Sequence, residues 1–350
     1  MEILIIKLSA IGDVIHTLPA LDALHRRFPE SKITWVIEEK ASDIIKEHPY
    51  LKKVIVSKRK SWIKNVKKPS LWNLTLKEII RFIRELRSQD YDVVVDFQGL
   101  LKSAILVFFS RGKRKIGYSK TREMSYFFLN ERIPPHPLNR HAVESNIELV
   151  RYLGAQCDKV TFPIFIGEED KRKVELLLSA HKLSTSKPLI VIHPQAGWVT
   201  KRWEPLKIAK LSDKLIEIYD AQIIFAGGRD DYSSIENILS LLSHTAVNAS
   251  GKTSLKELAY LLSLSHLMIT VDSGPMHIAS AMGTPIVVLF GPTASWKTGP
   301  YCNSAVIIRS QLSCSPCFKR ECDSRACMKE ISVEEVLEAV DKQLKLDHKH

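Results

Sequence analysis

The 350-residue sequence contains no apolar run near the roughly 18 to 20 residues that a membrane-spanning helix needs. Its first residues form an apolar strand pattern without a charged leader, and we expect a cytoplasmic protein. No G-x-G-x-x-G motif follows the first strand and no P-loop is present, which disfavours a dinucleotide cofactor bound in the usual way. Cysteine is scarce, with six residues, and disulfides are not expected in a reducing compartment.

Short apolar runs alternate with segments of helical periodicity along most of the chain. Examples are the strand patterns at 3–6, 33–37 and 91–96, and the helical patterns at 14–28 and 74–87. The alternation restarts with a strand pattern at 189–192. This order predicts an α/β protein with two doubly wound parallel sheets. We expect Rossmann-like domains at 1–170 and 186–330, and a helix and tail at 331–350 that could cross back to the first domain.

Basic residues outnumber acidic ones and give a formal net charge of +12. They concentrate at 52–68 and 111–115, which indicates an anionic partner or simply a solvated charged surface. Because Trp62 and Trp72 lie among the lysines, we favour an amphipathic loop that faces a membrane. No nucleic-acid-binding motif accompanies this charge, so nucleic acid is not an expected partner.

Residues 7–13, KLSAIGD, join the first strand to the next helix. Gly12 would let the backbone approach a ligand there. Asp13 has two interpretations. It is either a first-turn carboxylate that stabilises the helix, or a general base at the strand ends where ligands bind in open α/β sheets.

The second half carries further polar turns after its strands. Lys201 could neutralise a leaving diphosphate, or be an exposed loop lysine. Asp230 and Asp231 could bind sugar hydroxyls, or belong to a simple turn. Residues 272–277, DSGPMH, place Ser273 and Gly274 at a helix start suited to phosphate, although Asp272 and His277 could be structural.

Four cysteines, Cys314, Cys317, Cys322 and Cys327, follow the spacing C-x2-C-x4-C-x4-C. Short spacings suit tetrahedral zinc, but the usual arrangement in two pairs is absent. Reduced, packed thiols are the interpretation that we favour over a zinc site.

Four segments together resemble the bacterial heptosyltransferases of lipopolysaccharide core assembly, glycosyltransferase family 9. They are residues 7–19, the stretch DFQGLLKS at 96–103, the turn KRW at 201–203, and residues 272–277 continuing to GPT at 291–293. The resemblance implies a GT-B fold, with an acceptor domain followed by a donor domain. It implies inverting, metal-independent transfer of heptose from ADP-heptose, and no cofactor.

The same resemblance implies roles for individual residues. Asp13 is the expected base, and Lys201 the residue that contacts the donor phosphates. The other expected donor contacts are Ser9, Gly12, Asp230, Asp231, Thr253, Asp272, Ser273, Gly274, Pro275 and His277. The expected acceptor contacts are Arg59, Lys60, Lys102 and Arg122.

The implied acceptor is a Kdo residue of lipid A, reached by a monomer that contacts the inner leaflet of the cytoplasmic membrane. The cysteine segment is more similar to other branches of the family, so addition of a later heptose is an alternative. A GT-B transferase or epimerase with another nucleotide sugar is a second alternative. A basic nucleotide- or nucleic-acid-binding protein with cysteine-bound zinc and no turnover is a third.

Overall fold

A computed structural model describes residues 1–121, 123–134 and 140–347. The chain divides into two compact units, Met1–Phe165 and Ile166–His350. Each unit contains a six-stranded sheet in which all neighbouring strands are parallel. This confirms the predicted α/β class with two parallel sheets.

The first unit alternates strands and helices as expected. Its elements are β1 (Glu2–Ile6), α1 (Ile11–Ile15), α2 (Leu18–Arg27), β2 (Lys32–Glu38), α3 (Glu39–Ser42), β3 (Lys53–Ser57), α4 (Arg59–Asn65), α5 (Trp72–Leu86), β4 (Tyr91–Asp96), α6 (Leu101–Phe109), β5 (Gly112–Tyr118), β6 (Glu131–Ile133) and α7 (Ala142–Arg151). The strand order is β3-β2-β1-β4-β5-β6.

The second unit repeats this plan. Its elements are α8 (Glu168–Ala180), β7 (Leu189–His193), α9 (Pro205–Tyr219), β8 (Gln222–Phe225), α10 (Tyr232–Leu239), β9 (Val247–Asn248), α11 (Leu255–Leu264), β10 (Leu267–Val271), α12 (Gly274–Met282), β11 (Ile286–Phe290), α13 (Ser295–Thr298), β12 (Ala305–Arg309), α14 (Ala326–Lys329) and α15 (Val333–Asp347). The order β12-β11-β10-β7-β8-β9 is equivalent to that of the first unit.

The central strands are apolar on both faces because helices cover both sides of each sheet. β1 has four consecutive buried residues, and all of β7, β10 and β11 is buried. Parallel strands covered in this way show continuous apolar runs instead of alternation. The helix α15 packs on α9 and on β10, β11 and β12, within the second unit.

Two local expectations were wrong. The helical pattern at 14–28 is two helices, and Thr17 is the N-cap of the second one, α2. Pro19 lies in the first turn of α2, where the N–H that proline lacks would have no partner within the helix. Part of the basic segment at 52–68 is helix α4 instead of a loop. Trp62 within α4 is tied to the neighbouring helix, since its indole N–H donates to Glu78 at 2.9 Å.

Each sheet reverses its winding direction at the pair of strands in its centre. These pairs are β1 and β4 in the first unit, and β7 and β10 in the second. In open α/β sheets, ligands bind outside the carboxyl ends of the strands at this switch point. The fold therefore marks one candidate crevice in each unit.

Candidate functional site

The loops after β1 and β4 are joined by one glutamine. The side-chain oxygen of Gln98 accepts hydrogen bonds from the backbone N–H of Leu8 at 3.0 Å and of Ser9 at 3.1 Å. The amide therefore holds the KLSAIGD turn against the loop that follows β4.

The side chain of Asp96 stabilises the loop that follows β4. Its buried carboxylate accepts hydrogen bonds from the N–H of Gln98 (2.9 Å), the N–H of Gly99 (3.1 Å) and the hydroxyl of Ser103 (2.9 Å). Burial raises the pKa of Asp96. Gly99 has φ of +62°, a left-handed conformation that a residue without Cβ adopts most readily. The DFQG motif thus has a structural basis in this turn.

Asp13 lies in the third position of α1 and is partly exposed. Its Oδ2 accepts a hydrogen bond from the backbone N–H of Ala10 at 2.7 Å. This contact matches the first-turn interpretation. It uses one oxygen of the carboxylate, and so it is compatible with a proton-accepting role for the other. Gly12, beside it, is buried.

Three expected acceptor cations meet around a glutamate that sequence reasoning missed. Glu38, at the carboxyl end of β2, is 3% exposed and lies 3.0 Å from Arg59, 3.6 Å from Lys60 and 3.6 Å from Lys102. The ammonium of Lys102 also donates to the Ser9 hydroxyl at 2.6 Å. Burial lowers the pKa of Lys102. One buried negative charge therefore gathers three cations beside the β1 turn.

The fourth expected acceptor cation, Arg122, lies outside the described residues. Glu38 could have been identified from the sequence, because it lies at the end of a strand and strand ends line the crevice in such sheets.

In the second unit, a lysine and an aspartate join the ends of β7 and β10. The ammonium of Lys201 lies 2.6 Å from Oδ2 of Asp272, and both side chains are largely buried. The Thr293 hydroxyl donates to the same oxygen at 2.6 Å. The ammonium also lies 4.6 Å from the ring centroid of Trp198, a cation–π contact. Asp272, expected as a donor contact, therefore orients Lys201 in this structure.

Helix α12 begins directly after this aspartate. Ser273 is its N-cap, and Pro275 lies in its first turn. The Ser273 hydroxyl makes no cap hydrogen bond and lies 3.3 Å from that of Thr270. His277 is buried. Backbone N–H groups and the helix dipole give such a helix start an affinity for anions.

The two aspartates after β8 have different surroundings. The carboxylate of Asp231 accepts the Gly228 N–H at 2.8 Å and closes the turn, whereas Asp230 is exposed. Thr253 reaches the same turn, because it lines a pocket of about 480 Å³ together with Gly228 and Arg229.

A family model and individual relatives match this chain. The sequence profile described as glycosyltransferase family 9 (heptosyltransferase) matches residues 79–327. The chain belongs to glycosyltransferase family 9. It is therefore a glycosyltransferase of the heptosyltransferase family, as the sequence motifs predicted.

Individual relatives support the assignment. Lipopolysaccharide heptosyltransferase 1 of Pseudomonas aeruginosa is 32% identical, over 92% of this chain and 87% of the relative. The solved family 9 glycosyltransferase of Veillonella parvula is 26% identical, with a TM-score of 0.84 over 98% of this chain and 97% of its own. The Escherichia coli heptosyltransferase WaaC with ADP, 24% identical, has a TM-score of 0.76 over 98% of this chain and 100% of its own. These structures confirm the GT-B fold.

The cysteine segment of this family 9 protein contacts the turn that follows β11, where the Ser315 hydroxyl donates to the Gly291 carbonyl at 2.6 Å. Cys327 is buried and contributes to the core of the second unit, and burial raises the pKa of its thiol. In the part of the chain that the structure describes, no three His, Cys, Asp or Glu side chains form a group able to hold a metal ion. Electrostatic repulsion from Cys317, Cys314 and Cys322 adds to the rise in the pKa of Cys327, so the four thiols lie in one neighbourhood.

Within those same residues, no helix combines the length and the apolar character needed to cross a bilayer.

Proposed function

We propose that this glycosyltransferase transfers L-glycero-D-manno-heptose from ADP-heptose to a Kdo residue of lipid A, with inversion at the anomeric carbon. The names of its relatives support the lipopolysaccharide core as the context, and the ADP held by WaaC supports the donor class. The observation that carries the proposal is the unequal chemistry of the two switch points. One presents a carboxylate and clustered cations, and the other a lysine beside a helix start.

We assign the acceptor to the first unit. Arg59, Lys60 and Lys102 offer positive charge to the carboxylate of Kdo or to a phosphate of lipid A, and we propose the same role for Arg122. Asp13 is the proposed base. A carboxylate can take the proton from an acceptor hydroxyl as its oxygen attacks the anomeric carbon.

We assign the donor to the second unit. As the bond to the diphosphate breaks, negative charge grows on the leaving ADP, and we propose that Lys201 offsets this charge. The amides at Ser273 and Gly274 add to this stabilisation. The other proposed donor contacts are Asp272, Pro275, His277, Thr253, Asp230 and Asp231 in the second unit, and Ser9 and Gly12 in the first. The lysine and the helix start supply positive charge without requiring a metal ion, and we propose that no cofactor is needed.

We place the protein, as a monomer, at the cytoplasmic face of the inner membrane. The basic helices α4 and α5 support this location, since Lys64 and Lys77 lie among exposed apolar side chains such as Trp72. Lysine and arginine near an anionic leaflet each contribute about 1 kcal/mol to surface binding.

The deciding experiment is mass spectrometry of an acceptor incubated with the protein and ADP-heptose. Kdo-lipid A is compared with a core that already carries one heptose, and ADP-glucose serves as the control donor. We expect one added heptose on Kdo-lipid A alone, with the anomer determined by NMR. Addition only to the heptosylated core would show a later transfer, and no heptose on either acceptor would refute the proposal.

A further inference from the structure

A pocket of about 750 Å³ lies in the first unit, between helices α4, α5 and α6. Apolar side chains form most of its wall, among them Ile63 of α4, Phe82 and Ile83 of α5, and Ile105 of α6. The volume falls in the range of small-ligand sites, about 300 to 1,000 Å³. It is large enough to admit an extended ligand.

The helices around this pocket expose an unusual amount of apolar surface. On α6, Leu101 is 49%, Ile105 45% and Phe108 61% exposed, at positions that fall on one helix face. On α5, Leu76 and Ile80 are also exposed one turn apart. Large contiguous apolar patches are rare on soluble proteins and mark sites of interaction.

One part of the pocket wall is charged, and it belongs to the proposed acceptor site. Arg59 and Lys102 line the pocket. They are the same side chains that contact Glu38, and Lys102 reaches the Ser9 hydroxyl. A ligand that fills the pocket would therefore have its apolar part among α4, α5 and α6 and its anionic part beside the β1 turn.

We propose that this pocket binds one acyl chain of the acceptor lipid while the anionic headgroup lies on the cations. The inference rests on the proposed function and adds a recognition element to it. An acyl chain fits the observations because it makes no hydrogen bonds. The polar groups in the wall are largely engaged already: the Trp62 indole donates to Glu78, and Glu123 accepts the Leu101 N–H at 2.7 Å. The positive charge at the wall matches an anionic lipid headgroup.

The test uses water-soluble Kdo acceptors that each carry a single alkyl chain, from ethyl to decyl. They are kept below their micelle-forming concentrations, with no vesicles present, so that attraction to a membrane surface cannot contribute. If the chain enters the pocket, KM falls by roughly fourfold for each buried methylene, while kcat changes little. A KM that is independent of chain length would overturn the inference.

A matched pair of variants on α6 locates the binding site of the chain. Ile105→Asn alters the pocket wall, whereas Phe108→Asn alters an exposed apolar side chain on the same helix that does not line the pocket. We expect Ile105→Asn to weaken the dependence of KM on chain length, and Phe108→Asn to keep the dependence of the unaltered protein. Equal loss in both variants would indicate binding of the chain to the outer surface and would overturn the pocket assignment.

An acceptor without any alkyl chain separates the two proposals. Transfer of heptose to it, together with a flat chain-length series, overturns the acyl pocket and leaves the proposed function intact. Absence of transfer to every acceptor overturns both. Thermal unfolding of each variant shows whether a change in KM reflects the pocket or a loss of folded protein.

Discussion

The dual position of Asp13 leads to a prediction that separates its structural and chemical roles. Its Oδ2 accepts the N–H of Ala10 at 2.7 Å, so the side chain closes the first turn of α1. Replacing it with asparagine keeps an oxygen that can accept this hydrogen bond but removes the base. Replacing it with alanine removes both.

The two roles differ in magnitude. Loss of a capping hydrogen bond costs about 1 kcal/mol of stability. For a unit of this size, that lowers the melting temperature by roughly 2 to 4 °C. Loss of a general base lowers the rate by about 10²- to 10⁴-fold, which corresponds to about 3 to 5 kcal/mol of activation free energy. The rate effect therefore exceeds what destabilisation alone can produce.

We expect Asp13→Asn to melt close to the unaltered protein and to transfer heptose at least 100-fold more slowly, as a general base implies. Asp13→Ala should show a similar loss of rate and a lower melting temperature. Both variants should bind ADP with nearly unchanged affinity in calorimetry. A rate near that of the unaltered protein for Asp13→Asn would refute the base assignment, and loss of ADP binding in both variants would also count against it.

Three further predictions concern other charged groups. Lys201→Ala should weaken ADP binding in calorimetry and lower kcat, because the charge facing the diphosphate is lost; unchanged kinetics would remove it from the site. Glu38→Gln should lower the free energy of unfolding in urea by about 1 to 3 kcal/mol and raise the acceptor KM. The control Glu85→Gln breaks an exposed ion pair and should lower the free energy of unfolding by under about 1 kcal/mol. Equal losses of stability in the two variants would contradict the clustering role of Glu38. Burial lowers the pKa of His193, so below about pH 6.5 the unfolded chain binds a proton that the folded chain does not. Stability should therefore fall with acid towards the lowered pKa, and His193→Asn should flatten this part of the pH profile; an unaltered profile would exclude His193.

Helix α6 shows where sequence patterns are ambiguous. Its sequence, LKSAILVFF, is largely apolar, and periodicity alone cannot distinguish such a segment from a buried strand. The apolar pattern therefore predicts no helix at 101–109, although the family motif DFQGLLKS leads directly into this segment. The structure resolves the ambiguity because the Asp96 turn positions Ser103, whose hydroxyl accepts the Leu100 N–H at the start of the helix.

The candidate site was partly predictable for a related reason. Lys201 and the segment at 272–277 were each identified from local pattern, because residues that follow buried strands lie at the ligand-binding edge of a parallel sheet. Their contact was not predictable, since 71 residues separate Lys201 from Asp272. The same limit applied to Glu38. This residue ends β2, whereas Arg59 follows β3 and Lys102 follows β4, so the three side chains come into contact only when these strands take their places in one sheet.

By itself, the sequence determined the class of this protein. Short apolar runs that alternate with amphipathic segments are typical of parallel strands covered by helices, and the polar turns after those strands identified the family. The tertiary structure alone decided how those turns are used, because contacts between distant residues depend on strand order and register. In the tertiary structure Asp272 contacts Lys201, three cations lie around Glu38, and α4, α5 and α6 enclose an apolar pocket.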